Sequence, residues 1–232
     1  MLELDHVERK AQTAKKHEAR VAAKSLFYEG THPRVLRNDL PVPAHYRATI
    51  KLGRDTMWLE EIAAKRPIAR NFNPRGMKRP FQGLVLHIQQ GTESGTFSWF
   101  NDARAKASAH FGNPKTGRLE QFVDIDDVAW AQVSGNHRWI SVENEGKSGE
   151  SLTWTQIQNL ADLLGWLHWN EDVPLQLADT PADFGLGYHA MGGKAWGGHS
   201  ACPGAPIVQQ RMLIVERAGF WRPEPSPDGV LV

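Results

Sequence analysis

Between residues 153 and 167, the apolar positions Ile157, Leu160, Ala161, Leu164 and Leu167 recur at helical spacing. Thr153 and Gln156 stand three apart just before them, as a capping-box pair does. The pattern predicts a helix with one face laid on a sheet. The run Leu84-Val85-Leu86-His87-Ile88 is short and apolar, and a Gly-Thr pair closes it soon after; it predicts a buried strand. "RWISVENEG" predicts a second strand, with Glu143 facing away from Ile140 and Val142. "HFGNPKTGRLEQFV" predicts two strands around a turn at residues 113–117, and "TFSWFNDARAKAS" a helix. A last helix is expected from Pro203, with Val208, Met212 and Val215 on one face and Gly219 as its stop. Strands interleaved with helices give an α/β class, with a central mixed sheet flanked by helices.

The first 80 residues have a different texture. Residues 3–28 carry many charges over a thin apolar stripe, which predicts a helix that must pack on something. From Gly30 to Pro80 prolines interrupt the pattern, leaving one short helix expected in "TMWLEEIAAK". There Trp58, Leu59 and Ile62 should pack on the main domain. The organisation read from this is an extension over 1–79, a catalytic domain over 80–222 and a tail over 223–232.

A hydrophobic content of 41% is enough for a real core, and the single cysteine excludes an internal disulfide framework. The formal charge of +1 conceals a basic head, but that head lacks aromatic interleaving, so nucleic acid is not an expected partner. No apolar run reaches the length of a membrane span. "MLELDHVERK" lacks a basic region followed by an apolar one, so synthesis in the cytoplasm without a secretory signal is expected.

The single cysteine lies in "GGHSACPG". If Pro203 opens a helix, Cys202 sits at its N-terminal edge, where the helix dipole favours a thiolate. His87 ends a buried strand, and His189 lies among glycines in "GLGYHAMGG". Two imidazoles, a thiolate and an open fourth position are what a catalytic zinc site requires. Glu143, at a strand end, can accept a proton from water there. Each residue also has a bland reading: a packed histidine, a small buried cysteine, a solvated glutamate.

The segments "GLVLHIQQGT", "ASAHFGNPKTGRLEQFVDIDDVAWAQ", "NHRWISVENEG" and "GYHAM…GGHSACPG" together resemble the zinc-dependent N-acetylmuramoyl-L-alanine amidases of type 2. That superfamily includes phage amidase-type lysozymes and peptidoglycan recognition proteins, and the likeness covers roughly residues 80–222. It implies one Zn²⁺ per chain and hydrolysis of the bond between the muramic lactyl group and L-alanine. By position, His87 and Cys202 match metal ligands and Glu143 the general base. The second histidine ligand is His189 or His199; the segment "GLGYH" favours His189. His199 then stands beside the slot where the family often carries an oxyanion-stabilising lysine, here Ser200. His110, in "SAHFG", matches a segment that lines the cleft, which implies a substrate contact or a packing role. His168 is expected to be packed.

The rival readings are a peptidoglycan-binding module without catalysis and a cysteine hydrolase using Cys202. The implied partner is peptidoglycan. The N-terminal extension would serve a docking or delivery partner or an immunity protein. The settings that fit are a phage endolysin released through a lysis pore, an antibacterial toxin injected into a target periplasm, and a recycling amidase.

Overall fold

A computed structural model describes residues 57–222. The helix expected over 3–28, the first part of the proline-rich arm and the tail over 223–232 lie outside the described residues.

Among the described residues eight strands and three α-helices follow one another: β1 (Ala63–Lys65), β2 (Phe72–Asn73), β3 (Gly83–Ile88), α1 (Glu93–Phe100), β4 (Phe111–Asn113), β5 (Leu119–Gln121), β6 (Val128–Ala129), β7 (Trp139–Asn144), α2 (Trp154–Glu171), β8 (Gly185–Tyr188) and α3 (Ala205–Ala218). Two 3-10 segments, Val133–Gly135 and His189–Trp196, complete the order. Six strands form one mixed sheet in the order β1-β5-β4-β7-β3-β8, and β2 pairs with β6 separately. Within the large sheet only β4 and β5 run antiparallel.

Alternation along the strands sorts the two faces of this sheet. Leu84, Leu86, Ile140 and Val142 belong to the main core with Ile157, Leu160, Leu164 and Leu167 of α2 and Ile207 and Ile214 of α3. Val85 and Trp139 point the other way, into a smaller cluster with Trp196. His87 and Glu143, one residue out of phase with Leu86 and Val142, therefore share the face away from α2 and α3. The capping box is formed in full: Thr153 Oγ1 accepts from Gln156 N at 3.2 Å, and Thr153 N donates to Gln156 Oε1 at 3.0 Å.

Three expectations change. "TMWLEEIAAK" holds one turn over 60–62 and then strand β1, because Ala63–Lys65 find the open edge of β5. The Gln121 side chain secures this entry by accepting from Leu59 N (2.7 Å) and donating to the Met57 carbonyl (3.0 Å). Residues 57–79 thus belong to the folded body, with Leu59 in the main core and Ile62 packed against it.

The helix expected over 96–108 begins earlier, capped by Thr92, and ends at Phe100. Asn71 Nδ2 donates to the carbonyls of Phe100 (2.8 Å) and Asp102 (2.9 Å), occupying acceptors that a longer helix would need. α3 starts at Ala205, after an N-cap Gly204 at φ 104°, so neither Pro203 nor Cys202 is its edge. Its buried face is Ile207, Arg211, Ile214, Val215 and Ala218, and Met212 is exposed.

Arg211 is a buried cation with its partners in place. Its guanidinium donates to the carbonyls of Ala178 (2.9 Å) and Leu186 (3.2 Å), pairs with Asp179 (2.7 Å) and lies over the Tyr188 ring. It ties β8, and the segment that precedes it, to α3.

Leu59 is 3% exposed within the main core. Leu59→Ala should cost about 2–5 kcal/mol, read as a lower denaturant midpoint at unchanged slope. A midpoint within error of the parent would show that residues before β1 are not part of the core.

Candidate active site

Parallel pairing of β3 and β7 sets His87 opposite Glu143. β8 lies on the other side of β3 and delivers His189 as the first residue beyond its end. The carbonyl of Cys202 accepts from Ala190 N at 2.9 Å, which draws the third residue to the same rim. The Ser148 hydroxyl steadies that segment by donating to the Ala201 carbonyl at 3.0 Å.

His87, His189 and Cys202 each offer one ligand atom, and these atoms lie within 4.8 Å of one another. The hydrogen bonds fix which atoms face inward. Gln132 Nε2 donates to the Trp139 carbonyl, leaving its Oε1 to face His87 Nε2 at 3.2 Å. His87 must carry its proton on that nitrogen. His189 Nε2 donates to the Trp196 carbonyl at 2.8 Å. Both Nδ1 atoms are left as bare lone pairs, each ring oriented through its other nitrogen as metal-bound histidines are. Gln132 gave no sequence signal of this role; only the fold reveals it.

Burial sets the charge state of these donors. Burial holds His87 well below the usual imidazole range, with His189 adding to the effect and the Gln132 bond opposing it. Burial likewise lowers His189. Burial pushes the Cys202 thiol up to about 12, with Glu143 adding to it and a backbone hydrogen bond from Ile88 opposing it. The helix-edge activation expected for this cysteine is therefore absent. Two neutral imidazoles and a thiol that ionises only beside positive charge suit a divalent ion of zinc's type.

Glu143 is 17% exposed; its Oε1 lies 3.9 Å from His87 Nδ1, and its Oε2 is buried without a partner. Burial, then the neighbouring Glu93, raises its pKa to about 8. Glu93 is a site residue that the sequence reading missed. It opens α1, and its Oε1 lies over β4 at Gly112, where a Cβ would meet that oxygen at 2.0 Å. Glycine alone leaves room for it. Beyond Glu93 opens a cavity of about 430 Å³ lined in part by Arg66, Arg118, Glu120 and Glu145.

The remaining expected residues fall in different places. His199 is outside the donor trio; it is exposed, with its ring 4.9 Å from that of His189. His110 is fully buried, its Nδ1 accepting from Ser141 N and its Nε2 facing the Asp127 carbonyl. Both nitrogens of His110 are thus committed to the sheet and its neighbouring loop, which leaves neither for the substrate contact that was one of its two expected roles. His168 bonds the Val173 carbonyl through Nδ1 at 2.8 Å.

Burial raises the Glu93 carboxyl from an ordinary 4.5 to about 7. The folded state then keeps a proton that the unfolded state releases. This contribution is fully present below pH 4.5 and is lost as pH rises through about 7. As pH rises across that window the metal-free parent should therefore lose Tm relative to Glu93→Gln, the opposite-signed contribution of the buried histidines being common to both proteins. An unchanged slope in the variant would assign the dependence to other groups.

Residues 77–205 match the family model described as N-acetylmuramoyl-L-alanine amidase. The chain is 29% identical over 73 residues to N-acetylmuramoyl-L-alanine amidase A of Achromobacter lyticus, a match spanning 31% of this chain and 41% of that relative. Among solved structures, a selenomethionine AmpD derivative aligns at a TM-score of 0.50 and 21% identity, covering 69% of this chain and 97% of that one. The Staphylococcus aureus hydrolase AmiA in complex with its ligand aligns at 0.52 and 17%, covering 67% and 82%. These structures share the mixed sheet with flanking helices found here. With the family model matching more than half of its length, the chain belongs to the N-acetylmuramoyl-L-alanine amidase family.

Proposed function

We propose that the protein is a peptidoglycan hydrolase that cleaves the amide between N-acetylmuramic acid and L-alanine. The observation that supports this most directly is the meeting of three inward-facing donor atoms with the carboxyl of Glu143 on one sheet face. His87 and His189, through Nδ1, and Cys202, through Sγ, would hold one zinc ion. When bound, zinc supplies Lewis acidity toward a carbonyl oxygen and lowers the pKa of water.

The chain's own residues do the rest. Glu143 takes a proton from the attacking water and returns it to the departing nitrogen. Its unpartnered Oε2 is free to make that contact. The buried setting that raises its pKa keeps it able to hold the proton between the two steps. His199, exposed beside His189, is placed to donate a hydrogen bond to the oxyanion that develops on the carbonyl. Gln132 and the Trp196 carbonyl hold the two imidazoles in one tautomer.

The cysteine-hydrolase reading loses support, because a nucleophile needs a thiolate and burial opposes one at Cys202. Among the described residues no helix is long and apolar enough to cross a membrane. Action on the cell wall after release through a lysis pore or injection into a target cell fits this chemistry. The docking or immunity partner expected for the extension would act through residues outside those described.

Elemental analysis should find about one zinc per chain, and chelation should abolish hydrolysis of soluble muropeptides. His87→Ala, His189→Ala and Cys202→Ser should each lose most of the metal, whereas His199→Ala should retain it and turn over more slowly. Active protein without transition metal would end this reading. Glu143→Gln should keep zinc and fold but lower turnover by about 10²–10⁴-fold. Near-normal turnover would move proton transfer to another group.

A further inference from the structure

Val133 has a backbone that its side chain opposes. Its φ is 48°, in the left-handed region where a β-branched residue is an outlier. The side chain gains little from packing, since 64% of the residue is exposed. The turn itself is over-determined by its neighbours. Asn136 Oδ1 accepts from Ala131 N and Gln132 N, and Gly135 N donates to the Gln132 carbonyl. Ser134 Oγ donates to the Ala195 carbonyl. None of these bonds uses the valine side chain, and each would persist with glycine or asparagine in its place. The strain is thus held by the surroundings while the isopropyl group faces outward, a combination that points to use outside the folded core.

Its location gives that use. Val133 directly follows Gln132, whose side chain orients His87. Its Cγ2 lies 3.6 Å from the point where a Cβ on Gly197 would stand, and the His199 ring lies 3.1 Å from the same point. Val133 and His199 therefore flank the bare backbone of Gly197, and the His199 ring stacks toward His189 of the donor trio. A branched aliphatic group stands at the mouth of the site, next to the exposed imidazole.

We propose that Val133 is a specificity-determining residue, its side chain forming an apolar lip that packs against an aliphatic group beside the scissile amide. The inference rests on the amidase reading above. In that substrate a methyl group flanks the amide on each side, one lactyl and one alanyl, and either offers the chemistry the lip fits.

The test uses full-length protein with Val133→Asn and Val133→Gly, both of which accept the left-handed turn, and Val133→Ile, which keeps a branched aliphatic group. Two soluble muropeptides serve as substrates, one with alanine and one with glycine as the first peptide residue. Asn and Gly variants should melt at or above the parent temperature and keep their zinc and kcat. Their KM should rise roughly 3–10-fold, the scale of a few lost methyl contacts, and Val133→Ile should restore it. A loss confined to the alanine substrate assigns the alanyl methyl; equal losses assign the lactyl one. Unchanged KM for both substrates overturns the proposal, as does a lower Tm in the Asn and Gly variants, which would show the valine to be held by packing. If the parent turns over neither substrate, the amidase reading fails on its own. Kd values for the same muropeptides, from tryptophan fluorescence, then decide: weaker binding in the Asn and Gly variants supports the lip, and equal binding overturns it.

Discussion

Buried amides at one end of the sheet set the geometry on which the site depends. Asn144 donates to the carbonyl of His87 at 2.8 Å, and Asn113 donates to Asn144 Oδ1 at 2.8 Å and to the Gln156 carbonyl at 3.1 Å. Gln156 in turn donates to the carbonyls of Asn113 and Glu145, each at 3.0 Å. Asn113, Asn144 and Gln156 are at most 1% exposed, so an unmade bond among them would carry the full cost of desolvation. The network clamps the ends of β3, β7 and β4 to the first turn of α2. A slip of one residue between β3 and β7 would break it and send either His87 or Glu143 to the wrong face.

On that frame the site collects groups that the protein alone leaves unsatisfied. Oxygens of Gln89, Glu93 and Glu143 are buried without partners, and the thiol of Cys202 is held neutral by its surroundings. Among the described residues the other buried side-chain atoms without partners are nitrogens, of Arg138, Trp139 and Arg217, so every buried side-chain oxygen left unmatched gathers here, whereas the buried Arg211 is matched by two carbonyls and a carboxylate. The contrast marks a region shaped for what enters it. It also explains why Gly112 lies under Glu93, since any larger residue would expel the second carboxyl.

Local pattern carried the reading where the structure is local. The helix over Trp154–Glu171, its capping box and the phase of His87 and Glu143 on their strands follow from spacing alone. Residues that act at a distance were not legible. β1 exists because β5 offers an edge, and nothing within "TMWLEEIAAK" announces that edge. α1 stops where Asn71, far back in the chain, takes its last carbonyls. Gln132 and Glu93 look like ordinary loop and helix-start residues until the sheet brings them beside His87 and Glu143. His110 matched a family segment in sequence, but burial gave both its nitrogens to the scaffold.

The sulfur of the donor set rides on a stretch without regular structure, joined to the fold by a few bonds to Ala190, Ser148 and His199. Both histidines and Glu143 precede it in the chain. A ribosome therefore delivers the strands, the amide clamp and the imidazoles before it delivers Cys202. The third donor thus joins the pocket only once the segment leading into α3 has been made. On the zinc reading proposed above, a chain cut short before Cys202 would lack the sulfur ligand, and metal capture would be confined to chains made through that residue.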